Sequence, residues 1–296
     1  MVGGTGQLGT DVVKVLRAGG DEAISLSHAD IECADLESVR AALGSLRPEI
    51  VINCAAFVRV DECERRPEDA FRVNAIGALH VAKTCAEIDA VCVHISTDYI
   101  FDGQKGEPYT EEDSPNPLSV YGTSKLAGEY SVRAACPRHF IVRTSGLYGA
   151  AGSSGKGGNF VETMIRLAAD GTPIRVVSDQ VLTPTYAKDL AQKIRELLRT
   201  NAYGVFHIAN NGGCSWYEFA GAVFRLLGLR PDFGPTTTEE FGSAARRPAY
   251  SVLAHVGLRQ VRLENLRMWS EALPAYLIEK GYLNSAHGPK GLRVER

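Results

Sequence analysis

An α/β fold with a doubly wound parallel sheet and a smaller α/β lobe is predicted by three features of this 296-residue sequence. Strand-like and helix-like stretches alternate through its first half. A glycine-rich turn, Gly3-Gly4-Thr5-Gly6-Gln7-Leu8-Gly9, opens a helical pattern, and Thr97, at the end of an apolar run, precedes Tyr121-Gly122-Thr123-Ser124-Lys125. Alternation of this kind means βαβ units, which lay successive strands parallel in one sheet. Ligands bind such sheets beyond the carboxyl ends of the strands, which is where Thr97 falls.

The elements follow in order. Glycines spaced Gly3-x-x-Gly6-x-x-Gly9 let the backbone turn tightly and approach a pyrophosphate. Its charge suits the N-terminus of the helix signalled by Val12, Val13, Val15 and Leu16. Standing alone, such a motif is more often a glycine-rich surface turn. Only Met1-Val2 precede it, whereas the central first strand of such a sheet needs about five residues. The expectation is that a few further apolar residues lie upstream. Apolar runs at 23–27, 50–55, 91–96 and 140–145 read as buried strands, with helices at 10–16, 36–46, 67–88 and 120–134. Pro67 suits the first turn of its helix, with Glu68 and Asp69 complementing the dipole.

From Gly146 the rhythm loosens. A flexible glycine-rich loop is expected at 152–158 and a helix at 159–169, with short strands at 174–177 and 205–208. Helices are expected at 186–198, 216–227 and 263–280, the last kinked or interrupted at Pro274. Residues 285–296 are polar and read as a disordered tail. The organisation predicted is a dinucleotide-binding domain over 1–145 and a mainly substrate-binding lobe over 146–284. Segments within 174–208 should return to complete the main sheet.

Residues four apart share a helix face, so Lys125 lies one turn above Tyr121. An ammonium beside a phenol favours the phenolate and draws the tyrosine toward working pH. A tyrosine so biased can pass a proton to a carbonyl oxygen while a hydride reaches the carbon. Tyr-x-x-x-Lys alone arises by chance on many helices. With the strand-end threonine and the glycine turn, chance is a poor account.

Hydrophobic and charged contents of 45% and 23% are ordinary for a soluble globular chain. A net charge of −3 gives no global signal for nucleic acid or an anionic membrane. No apolar run is long enough to span a bilayer and no signal peptide precedes the glycine turn, so a cytoplasmic protein is expected. Seven cysteines without a C-x-x-C pair read as reduced core thiols. The seven histidines show no metal-ligand spacing, and His94 and His207 in apolar strands read as hydrogen-bonded core residues. No G-x-S-x-G elbow supports an esterase. Trp216, Tyr217, Phe219 and Phe224 are spaced as the core face of an amphipathic helix.

Several motifs make the chain resemble the extended short-chain dehydrogenase/reductases and, among them, the dTDP-4-dehydrorhamnose reductase family. They are GGTGQLG (3–9), NCAAFVRVDECERRPEDAFRVNAIGALHVA (53–82), HISTDYIFDG (94–103) and YTEEDSPNPLSVYGTSKLAGE (109–129), then IVRTSGLYG (141–149), SDQVLTPTYAKDLA (178–191) and RRPAYSVL (246–253). The resemblance implies a Rossmann fold and NAD(P)H-dependent reduction of the C4 keto group of dTDP-4-dehydro-L-rhamnose. It implies a catalytic triad of Thr97, Tyr121 and Lys125, with Lys125 also holding the nicotinamide ribose. Gly3, Gly6, Gln7 and Leu8 would lie against the cofactor phosphates, Asp35 and Leu36 by the adenine, and Ala56, Phe57 and Val58 along the rest. Thr97 and Asp98 would touch the sugar and Arg247 the diphosphate, since guanidinium pairs bidentately with phosphate. A solvated pair is the competing reading for Arg246 and Arg247. Asn74 would serve the backbone rather than the chemistry. A homodimer, and Mg²⁺ at a dimer contact, follow from the family alone, and no ligand set for a metal is legible.

Two departures stand out. Gly146 occupies the place of a tryptophan that lies by the sugar in the family, which puts substrate preference in question. Ser27-His28 stand where many relatives carry an Asp for the adenosine ribose, so NADPH is favoured with NADH tolerated. Alternatives are a nucleotide-sugar epimerase or dehydratase, or a non-catalytic nucleotide-binding regulatory subunit. Tyr99 rather than a glutamate follows Asp98, which argues against dehydration. The intact triad argues against a purely regulatory role.

Overall fold

The computed structural model describes residues 1–151 and 158–284, so most of the loop expected at 152–158 and all of the tail expected at 285–296 lie outside the described residues. Ile50–Asn53, Val91–Thr97, His139–Thr144 and Gly204–His207 form one parallel sheet in that order. Val2 extends it. Its N–H donates to the Ile52 carbonyl at 2.9 Å, its carbonyl accepts from Cys54 N at 3.0 Å, and Leu26 bridges its other side. The chain therefore runs from Val2 to Leu26 on one side and then to Ile50–Asn53 on the other. That reversal is the switch point of a doubly wound sheet, and the glycine turn and residues 54–58 both leave the sheet beside it.

The strand expected at 23–27 is reduced to a bridge at Leu26, whose N–H donates to the Met1 carbonyl and whose carbonyl accepts from Gly3 N and Gly4 N, where the chain already turns away. The other strands are buried on both faces, as near-continuous apolar runs require. Val51, Cys92 and Ile141 pack on one face against Val39, Leu43, Val81 and Val132 of the helices Leu36–Leu46, Gly77–Glu87 and Val120–Ala135. Their neighbours Ile52, Val93 and Val142 pack on the other against Val12, Leu190 and Ile194 of Gln7–Ala18 and Ala187–Leu197.

The helix expected over 67–88 is interrupted by a π-helical turn, Arg72–Ile76, between Pro67–Phe71 and Gly77–Glu87. Asn74 sits in that turn and explains it. Its amide pairs with both the N–H and the carbonyl of Phe57, at 2.8 and 3.1 Å, and donates to Ser124 Oγ at 3.0 Å. A widened turn aims that side chain at the loop carrying residues 54–58. An additional short helix, Val60–Arg65, follows that loop.

In the smaller lobe, Phe160–Ala169, Trp216–Leu227 and Trp269–Glu279 surround Tyr148, Val161, Phe219 and Tyr276. Of the stretch 174–208, Gly204–His207 joins the main sheet, but Ile174–Val177 pairs with Phe233–Thr236 outside it. Ile174 and Val176 bury against Met164, Ala220 and Phe224 while Arg175 faces solvent, the pattern of a ribbon covered on one face. The last helix starts six residues later than expected because Arg267 and Trp269 pair with Asn211 and hold the preceding segment extended. It then continues through Pro274.

Candidate active site

A cavity of about 620 Å³ opens at the switch point. Gly3, Gly6, Gln7 and Leu8 line one side, Ala56 and Val58 another, and Thr97, Asp98, Tyr121, Lys125 and Gly146 the base. A Cβ on Gly9 would lie 2.2 Å from the Gly3 carbonyl oxygen, so the turn closes only without side chains there. Gly6 ends the helix Gln7–Ala18 with no side-chain cap and no acid in the first turn, leaving its N-terminal dipole for an anion. Gln7 Oε1 and Thr144 Oγ1 are buried in the cavity wall without partners among the described residues. Uncapped N–H groups, a side-chain-free turn and unspent polar atoms all fit a dinucleotide.

Ser119 caps the helix Val120–Ala135 by accepting from Gly122 N at 3.1 Å. A Cβ on Gly122 would meet the Tyr99 carbonyl oxygen at 2.2 Å, so this glycine lets the helix start press against the end of Val91–Thr97. Tyr121 thereby faces the same cavity as Thr97 and stands edge-on to Tyr99 at 5.9 Å between ring centroids. Desolvation pushes the Tyr121 phenol well above its ordinary value, outweighing the influence of the nearby Thr97 hydroxyl. The ammonium expected to draw the phenol down is occupied elsewhere: Lys125 Nζ donates to the Ile95 carbonyl at 2.6 Å. Both features favour the protonated form of the Tyr121 phenol.

Burial lowers the Lys125 ammonium to about 8, opposed by Glu129 and Cys54. Asp98 is raised to about 6 by burial, although Ser251, Ser145 and Thr97 donate to it at 2.6, 2.8 and 3.1 Å. Beneath Lys125 on the same helix face, Glu129 forms a bidentate pair with Arg143, at 2.7 and 3.0 Å, and accepts from Ser96 at 2.5 Å. Arg143 in turn approaches His207 Nε2 at 3.3 Å.

Four other residues expected at the site do not line the cavity. Asp35 is spent as the N-cap of Leu36–Leu46, accepting from Glu37 N and Ser38 N, and Leu36 is the first residue of that helix. Phe57 is pinned by Asn74 and turns its ring toward Arg66. Arg247 pairs with Asp61 at 2.6 and 3.2 Å and also contacts the Tyr99 side chain. Ser27 and His28 are near a carboxylate after all, since Ser27 N and Oγ both donate to Asp30, at 2.8 and 2.6 Å. That bonding holds Asp30 below the usual carboxylate range. If the adenosine ribose lies at Ser27, Asp30→Ala frees the hydroxyl and removes a like charge. NADPH affinity should then rise several-fold relative to NADH in fluorescence titrations; equal shifts for both cofactors would place the ribose elsewhere.

Gly146 has φ +53°, and a Cβ there would lie 2.7 Å from Leu182 Cδ1, 3.0 Å from the Thr183 carbonyl oxygen and 3.1 Å from Pro184 Cα. The space a tryptophan would need is closed by backbone. Gly146→Trp is therefore expected to destabilise the fold by at least about 1–3 kcal/mol, the usual cost of overpacking, with backbone strain added. A thermal melt matching the parent's would show that the 182–184 segment yields. Phe160 and Trp216, with ring centroids 4.6 Å apart, line the cavity on the lobe side. Trp216, read from sequence as core, faces the cavity as well. Tyr148 lies in the lobe core between Tyr186 and Tyr276.

Sequence reasoning passed over Ser145, Ser251 and Glu129. Only Glu129, eight residues from Tyr121 on one helix face, left a local signal. Among the described residues, no group of three or more His, Cys, Asp or Glu is placed to hold a metal, which gives the Mg²⁺ expectation no support. The cysteines are all free. No helix among the described residues is long and apolar enough to cross a membrane.

A Rossmann sheet with a threonine, a tyrosine and a lysine gathered at its switch point defines an oxidoreductase of the short-chain dehydrogenase/reductase type. Residues 1–281 match the family described as RmlD substrate binding domain, and the chain belongs to that family. It is 43% identical over 280 residues to the spore coat polysaccharide biosynthesis protein SpsK of Bacillus subtilis (strain 168), covering 95% of this chain and 96% of that one. It is 40% identical to a dTDP-4-dehydrorhamnose reductase of Streptomyces griseus, over 92% of this chain and 90% of that one. The solved dTDP-4-dehydrorhamnose reductase of Bacillus anthracis str. Ames, in complex with NADP, superposes with a TM-score of 0.90 at 40% identity, covering 94% of this chain and 97% of that one.

Proposed function

We propose that this protein reduces the C4 keto group of a dTDP-linked 6-deoxy sugar, specifically dTDP-4-dehydro-L-rhamnose to dTDP-L-rhamnose, using NADPH and tolerating NADH. The observation that carries this reading is the gathering of Thr97, Tyr121 and Lys125 at the base of the same cavity that the glycine turn lines. NADP in the Bacillus anthracis relative supports the cofactor, and the Streptomyces griseus enzyme supports the substrate.

NADPH, when bound, supplies the hydride. The glycine turn and the uncapped helix N-terminus hold its phosphates, and Lys125 holds the nicotinamide ribose. Thr97 donates a hydrogen bond to the substrate carbonyl oxygen, and Tyr121 gives that oxygen its proton as negative charge develops there. To do so the Thr97 hydroxyl turns away from Asp98, which Ser145 and Ser251 hold in place and which contacts the sugar. Arg247 leaves Asp61 for the diphosphate. A cytoplasmic location and a homodimer belong to the same proposal and rest on the family alone.

The test follows NADPH absorbance with several 4-keto sugar nucleotides, repeated with NADH. Catalytic oxidation with the dTDP-4-dehydro-L-rhamnose substrate is expected. Loss of only one equivalent would favour an epimerase, and no loss would favour a regulatory nucleotide-binding subunit.

A further inference from the structure

His94, on the strand Val91–Thr97, is 1% exposed and faces the catalytic-helix lysine, with its Nε2 3.3 Å from Lys125 Nζ. An ammonium has donors only, so Nε2 must accept, and the imidazole must be neutral with its proton on Nδ1. Nδ1 is buried without a hydrogen-bond partner, an expensive arrangement for an N–H. Gly128 is a second cost, lying inside the helix Val120–Ala135 where glycine is disfavoured. A Cβ there would come within 3.3 Å of His94 Nε2 and 2.3 Å of the Asn74 carbonyl oxygen. The helix gives up a side chain at the point where the imidazole reaches the lysine.

We propose that His94 is a positioning residue: as the neutral Nδ1–H tautomer it accepts a hydrogen bond from Lys125, keeping that ammonium charged and in place at the cavity. The proposal rests on the role of Lys125 given above. Burial and the adjacent ammonium hold His94 well below its ordinary value, so it stays neutral at working pH. The other groups facing Lys125 are Glu129 on the same helix, Cys54 beyond Ile50–Asn53, and Tyr121 one turn away. Burial pushes the Cys54 thiol up to about 12 and keeps the Tyr121 phenol neutral. Glu129 is taken up by Arg143 and Ser96. Among the described residues, His94 and the Ile95 carbonyl are the acceptors within hydrogen-bond reach of the lysine.

Removing an acceptor of the charged form lowers the lysine pKa, so the alkaline limb of kcat should move to lower pH. In His94→Met, similar in length but without a strong acceptor, the limb should fall by about one unit. His94→Gln, whose Oε1 replaces Nε2, should keep the parent's limb. Imidazole ¹⁵N NMR of the unaltered protein should show the Nδ1-protonated tautomer, with no titration across neutral pH. An Nε2-protonated ring, a His94→Met limb superposing on the parent's, or a His94→Gln limb shifted as far as that of His94→Met would each overturn the proposal. The NMR arm needs neither substrate nor a folded variant, so it decides the point even if the proposed reduction is not observed.

Discussion

Tyr121→Phe is expected to lower kcat by about 10²–10⁴, the usual range for a positioned acid, with NADPH affinity nearly unchanged. The hydroxyl faces the cavity beside Thr97, in a setting whose desolvation favours the protonated phenol. It therefore serves the reaction only when charge appears on the substrate oxygen, which is chiefly in the transition state. Loss in kcat with little change in cofactor binding is the signature of such a group. Thr97→Val should be milder, since it removes one hydrogen bond to the same oxygen. Steady-state kinetics together with NADPH titration check both. Near-normal turnover in Tyr121→Phe would remove the catalytic assignment and bring forward the regulatory reading.

Glu129→Ala is expected to cost about 3–5 kcal/mol of stability, the range for breaking a buried ion pair from one side. The side chains of Arg143 and Glu129 are 5% and 2% exposed, so the guanidinium would be stranded. Its other side-chain neighbour, His207, offers a ring nitrogen rather than a charge, burial and Arg143 itself holding that histidine near 3. Chemical denaturation measures the loss. Removing both charges, as Glu129→Leu with Arg143→Met, should recover much of it, because neither desolvation penalty then remains. Recovery of stability without recovery of activity is the expected outcome, since Glu129 also supports the charge on Lys125. A single variant as stable as the parent would mean water reaches Arg143.

The glycine turn, the paired Tyr121 and Lys125, and the alternating apolar runs were all legible in the chain because each is a local periodicity. A turn needs glycines at set offsets, a helix face repeats every three to four residues, and a strand buried on both faces reads as an unbroken apolar run. The same local reasoning failed where a partner was distant or a backbone angle was set by packing. The strand at 23–27 is a bridge at Leu26, because its neighbour turns away at Gly3 and Gly4, and Ile174–Val177 found Phe233–Thr236 instead of the main sheet. The π-turn at Arg72–Ile76 reflects Asn74 reaching for Phe57, which no helical propensity encodes.

At the site the division is the same. The residues proposed to carry the proton and hydride chemistry were read from type and spacing along 97–125, and the fold brings them into one cavity. Their protonation states could not be read that way. Asp98 owes its setting to Ser251, 153 residues away, and Lys125 to a histidine and a carbonyl on a neighbouring strand. Arg247 was legible as a cation, but its partner Asp61 lies on another element. Gly146 was legible as a departure from the family tryptophan, but only its positive φ and the Thr183 and Pro184 backbone showed that no space for that side chain is left. Burial and long-range contacts set the free energy of a charge or a side chain in place, and both arise only when segments far apart in the chain are packed together.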